Sequence, residues 1–176
     1  GGTYKYIQKL GFKCYEISKF TNTSEILEGR VKTLHPKIYA GILNKRNNKS
    51  HKKQMLLKKY ENIDLVIVNF YPFEKTLEKT KDQKKIIENI DIGGPTLVRA
   101  AAKNFSDVTV ITSIEQYKKL IEELEKNRGS TSVKFRQKLS EEAFVETAYY
   151  DSIVNNYFAS ITKNFFPQKK LVTGNL

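Results

Sequence analysis

A single cysteine, Cys14, stands among 176 residues. One thiol builds neither an intramolecular disulfide nor a cysteine-rich zinc site, so a reducing compartment is expected. Glycine and proline number only nine and four, too few for a collagen-like or low-complexity chain. No apolar run approaches the roughly 20 residues that cross a bilayer, and the opening Gly1-Gly2-Thr3 shows neither an initiator methionine nor a signal-peptide pattern. These absences predict a soluble, cytoplasmic protein without membrane attachment, with Gly1 lying inside a longer chain. Arginine is scarce as well. Lys and Arg number 31 against 19 Asp and Glu, a formal charge of +12, yet 26 of the 31 are lysine. Phosphate and base recognition favours the planar guanidinium, and the densest cationic run, Lys45 to Lys53, carries no aromatic for base stacking. Most of the charge reads as solvated surface, and no nucleic-acid partner is expected.

A hydrophobic fraction of 39% with 11% aromatic residues is ordinary for a globular domain, and a chain of this length buries about two-thirds of its unfolded surface. Asp64 to Phe70 and Asp107 to Thr112 are β-branched runs without alternation, the pattern of strands buried on both faces of a parallel sheet. Lys13 to Ile17 follows a helical stretch, Tyr4 to Leu10, capped by Gly11, and is expected to be a third strand. Ile114, Tyr117, Leu120, Ile121 and Leu124 share one helical face, with Lys118, Lys119, Glu122 and Glu123 opposite. A longer helical region runs from Thr131 to Lys163, with Phe135, Leu139 and Ala143 four apart and Val154, Phe158 and Ile161 continuing the stripe. Ser140 before Glu141 and Glu142 is a candidate break there. The order of elements predicts an α/β fold with an open, doubly wound, mainly parallel sheet.

In such sheets ligands collect outside the carboxyl ends of the strands. Asn69 lies at the end of the first strand and Tyr71 just beyond it, ahead of Pro72; Tyr71 is read either as a phenol facing ligand or as packed core. Asp91-Ile92-Gly93-Gly94-Pro95-Thr96 opens an Ala-rich helix carrying Arg99 and Lys103 on one face. Paired glycines permit close backbone approach, Pro95 suits a first helical position, and bare amides at a helix start attract anions. A lysine in a dry pocket serves acid–base chemistry, while capped helix and surface cations are the plainer reading of the same residues. Glu28 to Lys37 packs Arg30, Lys32, Thr33 and His35 into a short irregular segment suited to clamping phosphate or a planar base; His35, before Pro36, is read mainly as structural. Two isolated histidines and one cysteine predict no metal site.

Taken in order, Gly1-Gly2-Thr3, Gly29 to Lys37, Asn69 to Glu74, Ile90 to Thr96, Arg99 to Asn104 and Ala143 to Tyr157 resemble the inosine-monophosphate cyclohydrolase domains of bifunctional purine-biosynthesis enzymes, which have a methylglyoxal-synthase-like fold. The resemblance implies closure of the formamido ribotide FAICAR to IMP with loss of water, without cofactor or metal. Formyl-tetrahydrofolate would serve only a second, formyltransferase domain. It places a proton donor and acceptor on Lys103, with Asp91 and Tyr71 in a supporting relay. Substrate-binding positions would be Gly1, Gly2, Thr3, Arg30, Val31, Lys32, Thr33, Val68, Asn69, Asp91, Ile92, Gly93 and Gly94, with the Lys32 and Thr33 amides as candidate oxyanion donors. The family domain ordinarily begins with a further strand, phosphate loop and helix upstream of the position of Gly1. Residues 1–163 are therefore expected to be an N-terminally truncated cyclohydrolase-like domain, and 164–176 a tail leading toward the absent formyltransferase domain. A homodimer is implied for the complete protein. A phosphate-binding regulatory or lyase domain of the same fold group, and a basic RNA-binding module, remain as alternative readings.

Overall fold

The computed structural model of the chain describes residues 2–163; Gly1 and the expected tail at 164–176 lie outside the described residues. The chain groups into two compact units, one up to Ile63 and one from Asp64 onward.

In the first unit α1 (Gly2–Lys9) is closed by Gly11 at φ +81, the left-handed conformation that favours glycine after a helix. The expected strand at Lys13 to Ile17 does not form. Phe12 and Tyr15 are each 68% exposed, Glu16 is merely extended ahead of a helix, and Ile17 already begins α2 (Ile17–Thr21). A strand needs a hydrogen-bonded neighbour, and this segment pairs with no strand among the described residues. Ile26 and Val31 make an isolated antiparallel bridge that closes a tight turn in which Leu27, Glu28 and Gly29 all take positive φ. α3 (Pro36–Leu43) follows, with Pro36 in its first turn and His35 as N-cap: His35 Nδ1 accepts the Lys37 N–H at 3.1 Å. α4 (Lys49–Lys58) is capped by Asn48, which accepts the His51 N–H at 3.0 Å. Gly41 is required where α3 meets the chain beyond α4, because a Cβ there would lie 2.8 Å from Glu61 O.

The second unit carries the sheet. β1 (Leu65–Ile67) and β2 (Thr109–Ile111) pair in parallel, Leu65 opposite Thr109 and Ile67 opposite Ile111. Between them run α5 (Phe73–Lys79), α6 (Gln83–Glu88) and α7 (Gly93–Lys103), the helical crossover that parallel strands require. A 3-10 turn (Ile114–Gln116), α8 (Tyr117–Lys126) and α9 (Val133–Thr162) complete the unit. The fold is α/β, with a parallel sheet of two strands among the described residues. Burial on both faces holds for β2, all of whose residues are buried, but not for β1, where Leu65 and Ile67 are 38% and 47% exposed. α7 packs on both strands, whereas α9 packs most extensively on α7 and, of the strands, on β2. So small a sheet also leaves α8 under-covered: Leu120 is buried, while Ile114, Tyr117 and Ile121 of the expected core face are exposed.

Val98, Ala101, Ala102, Val108, Val110 and Ile111 form the dry centre, where each large aliphatic side chain contributes about 1.5–3 kcal/mol on burial. α9 runs unbroken past Ser140, contrary to the expected break. Its true N-cap is Ser132, and the Ser140 hydroxyl instead donates to Ala102 O at 2.8 Å. Three contacts set α9 antiparallel to α7: Arg136 with the turn after α7, Ser140 with its last turn, and Tyr150 with the residue two before its start. Arg136 donates to Phe105 O at 2.7 Å, Ser106 O at 2.6 Å and Thr131 O. A lysine has no fork with which to reach these carbonyls together. Arg136→Lys is therefore expected to lower stability by about 2 kcal/mol, the scale of charge-assisted hydrogen bonds, in urea unfolding followed by circular dichroism.

Candidate functional site

At the carboxyl end of β1 the ladder continues one residue, Val68 N–H donating to Ile111 O at 2.9 Å. Asn69 is exposed, its Nδ2 3.5 Å from Tyr117 Oη. Tyr71 is 64% exposed, which excludes the packed-core reading. Phe70 and Phe73 take the core positions on either side of it, packed with Tyr150 and Ile86.

Beyond β2 the loop is held by Gln116, which is buried. Its Oε1 accepts the Thr112 and Ser113 N–H groups at 2.8 and 3.3 Å, and its Nε2 donates to Glu142 Oε2 at 2.7 Å. Ser113 and Gln116 form a capping box. The S-x-x-Q spacing signals this arrangement in the sequence, but as a cap and not as a site residue. Glu74, Glu115 and Glu146 gather nearby from α5, the 3-10 turn and α9. Burial, and then the charges of Glu115 and Glu74, push the Glu146 carboxyl above its ordinary range. Tyr149 Oη donates to Glu74 Oε1 at 2.9 Å.

The head of α7 differs from expectation in two ways. The helix begins at Gly93, so Pro95 lies in the third helical position and not the first. Nor is the Gly94 amide bare: Asp91 Oδ1 accepts its N–H at 2.8 Å, so the anion at this amide is the chain's own carboxylate. A Cβ at position 94 would collide with Asp91 Oδ2 and lie 3.0 Å from its Cγ; glycine is needed for the approach and not for an unusual φ. The Asp91 N–H donates to Tyr150 Oη at 2.7 Å. Asp91 is half-buried and Ile92 is 58% exposed. Lys103 closes the other end of α7 and is exposed, outside any dry pocket. Helical rise of ~1.5 Å per residue separates the Gly93 and Lys103 backbones by about 15 Å, so the Asp91 carboxylate and the Lys103 ammonium of one chain do not touch. Arg99, also exposed, lies over the Phe144 ring at 5.6 Å.

In the first unit, Arg30 to Thr33 follow the strained turn. Arg30 is exposed and Val31, Lys32 and Thr33 are half-buried. Lys32 Nζ pairs with Glu25 Oε2 at 2.6 Å across the bridge, and this hydrogen bond holds the exposed Glu25 carboxyl below its ordinary range. His35 Nε2 lies 3.3 Å from Thr23 Oγ1 while Nδ1 caps α3, in keeping with its structural reading. Gly2 and Thr3 open α1, both exposed. Among the described residues no group of three or more His, Cys, Asp and Glu could hold a metal ion, and no helix is long and apolar enough to cross a membrane.

Residues 1–96 match the family described as MGS-like domain, and residues 101–175 match the AICARFT/IMPCHase bienzyme. The chain is 46% identical over 158 residues to the bifunctional purine biosynthesis protein PurH of Bradyrhizobium diazoefficiens, covering 90% of this chain and 30% of that protein. It is 43% identical over 176 residues to PurH of Dinoroseobacter shibae, covering 100% and 33%. The chain thus spans about a third of the length of the curated relatives it matches. Among solved structures, the crystal structure of ForH is similar with a TM-score of 0.78 at 32% identity, over 90% of this chain and 83% of that one.

Two outcomes follow from the head of α7 and the acidic rim. Alanine ordinarily favours a helical position over glycine by about 1 kcal/mol, yet Gly94→Ala is expected to destabilise by about 1–3 kcal/mol through overpacking against Asp91. In an Asp91→Ala background the same change becomes stabilising, and urea unfolding of the four chains reads the reversal of sign. For Glu146 the folded chain binds the carboxyl proton more tightly than the unfolded chain. Its contribution to stability is therefore intact below the unfolded pKa and lost as pH rises through the raised folded value. Glu146→Gln should raise Tm near neutral pH and leave it unchanged below the carboxylate range, in thermal melts at both pH values.

Proposed function

The chain belongs to the MGS-like domain family, with the AICARFT/IMPCHase region following from residue 101, and on that premise we propose that it is the IMP cyclohydrolase portion of a bifunctional purine-biosynthesis enzyme. The reaction is closure of FAICAR to IMP. The carboxamide nitrogen attacks the formyl carbon and loses one proton as the carbonyl oxygen gains one. The carbinolamine so formed then loses its hydroxyl together with the formamido N–H proton as water, leaving a C=N bond in the new ring. Both reacting groups sit on one molecule, so much of the rate comes from holding them together, and no cofactor or metal enters this step.

Lys103 acts as proton donor and acceptor, with Asp91 and Tyr71 supporting. Because the two ends of α7 are about 15 Å apart, a proton exchanged between Asp91 and Lys103 passes through ribotide or water and not by direct contact. Asp91 Oδ1 is occupied by the Gly94 amide, and the carboxylate is thereby fixed in orientation. Arg30, Val31, Lys32 and Thr33 bind the nucleotide, the Lys32 and Thr33 amides facing the developing oxyanion. Val68 with Asn69, and Asp91 with Ile92, contact the base and carboxamide beside Gly93 and Gly94. Gly1, Gly2 and Thr3 take the phosphate. The partner is thus a small-molecule ribotide and not nucleic acid, and the complete protein is a homodimer in the cytoplasm.

The observation that carries this reading is the join of the two family matches within α7: Asp91 falls on the MGS-like side and Lys103 on the bienzyme side. The second match is what favours this reading over an MGS-like domain of other function. The test is FAICAR ring closure by the full-length protein, followed by absorbance. Lys103→Leu and Asp91→Asn are each expected to lower kcat by about 10²–10⁴-fold, the usual worth of a positioned acid or base. A Lys103→Leu protein as fast as its parent would remove that assignment, and turnover of dihydroxyacetone phosphate in place of FAICAR would favour a lyase.

A further inference from the structure

We propose that Tyr150, on α9, is a positioning residue for Asp91, its phenol oxygen fixing the backbone from which the Asp91 carboxylate is presented at the head of α7. The inference rests on the reading of Asp91 as part of the ring-closing site.

The Asp91 N–H lies two residues ahead of α7, outside the helical ladder, and a half-buried amide there needs a partner. It donates to Tyr150 Oη at 2.7 Å across a separation of 59 residues. Tyr150 is itself immobilised. It is 5% exposed, and its ring meets Phe70 edge-on at 5.2 Å between centroids and Phe73 at 6.3 Å. Burial pushes the phenol above its ordinary range, so it stays neutral and sets no second negative charge beside Asp91.

Asp91 is thus held at two points, its backbone by Tyr150 and its Oδ1 by the Gly94 amide. The two restraints come from different parts of the chain. Gly94 lies in the region matched by the MGS-like family and Tyr150 in the region matched by the bienzyme. α9 thereby adds a restraint on the aspartate that residues 1–96 alone do not contain. Phe70, against which Tyr150 packs, is the residue between Asn69 and Tyr71, so the same ring ties the end of β1 to the head of α7.

Tyr150→Phe removes one oxygen and keeps the ring. In the full-length protein it is expected to lower kcat for FAICAR closure by roughly ten- to a hundredfold, the scale of a misplaced reacting group, with a far smaller change in KM. The decisive comparison is the double-mutant cycle with Asp91→Asn. Once the Asp91 carboxylate is gone, Tyr150→Phe should cost no further rate. An equal loss in both backgrounds would show a merely structural tyrosine and overturn the proposal. A parental kcat in Tyr150→Phe, with Asp91→Asn still slow, would overturn it while leaving the proposed function standing. Asp91→Asn at the parental rate would instead overturn the reading of Asp91 and this inference with it. Should Tyr150→Phe fail to fold, fluorotyrosine at position 150, a weaker acceptor on the same ring, replaces it in the cycle.

Discussion

The close approach of α7 to the sheet and to α9 is the constraint from which the second unit is built. It depends on side chains that barely extend beyond the backbone: Ala101 and Ala102 are fully buried and Ala100 nearly so. Small residues bring helix axes together, and at that spacing polar side chains of α9 span the gap to the α7 backbone. Ser140 reaches Ala102 O, Arg136 the carbonyls of Phe105 and Ser106, and Tyr150 the amide of Asp91. Bulkier residues at 100–102 would hold the helices apart and strand each of these groups without its partner.

That packing also determines what the head of α7 can do. Glycine pairs at helix starts commonly offer free amides to an anion, but here Asp91 folds back onto Gly94 and occupies the position. The consequence is a carboxylate held in one orientation, a better prerequisite for proton transfer than a mobile side chain. Lys103, at the far end of the same helix and exposed, is held by no comparable restraint among the described residues. The helix that unites the two residues in sequence also keeps them about 15 Å apart.

Charge behaves differently in the two units. In the lysine-rich first unit, Lys32 is already paired with Glu25, so an anionic ligand must compete with a carboxylate for that ammonium. In the second unit, acids from three elements collect beyond the strands, and Glu146 responds by holding its proton more tightly. A formal +12 therefore says little about local potential, which depends on which side chains the fold makes neighbours.

Local signals were legible wherever a residue's own backbone chemistry decided the outcome. Gly11 ending α1, the β-branched run of β2 and the Ala-rich α7 could all be read from residue types and spacing, as could the α/β order of elements. Resemblance of the ordered motifs pointed to the family. The extended segment at Lys13 to Ile17, the uncovered face of β1 and the exposed flank of α8 could not be read, because each depends on whether a neighbour is present to cover it. Ser140 shows the same limit: by type it is a helix cap, and only the nearness of α7 turns its hydroxyl toward Ala102. Sequence by itself determined which residues could act, since chemistry and local conformation belong to the residue. Tertiary structure alone decided that Asp91 is held by Tyr150, because a contact across 59 residues is set by packing, whereas its bond to Gly94 and its separation from Lys103 follow from the local geometry of α7.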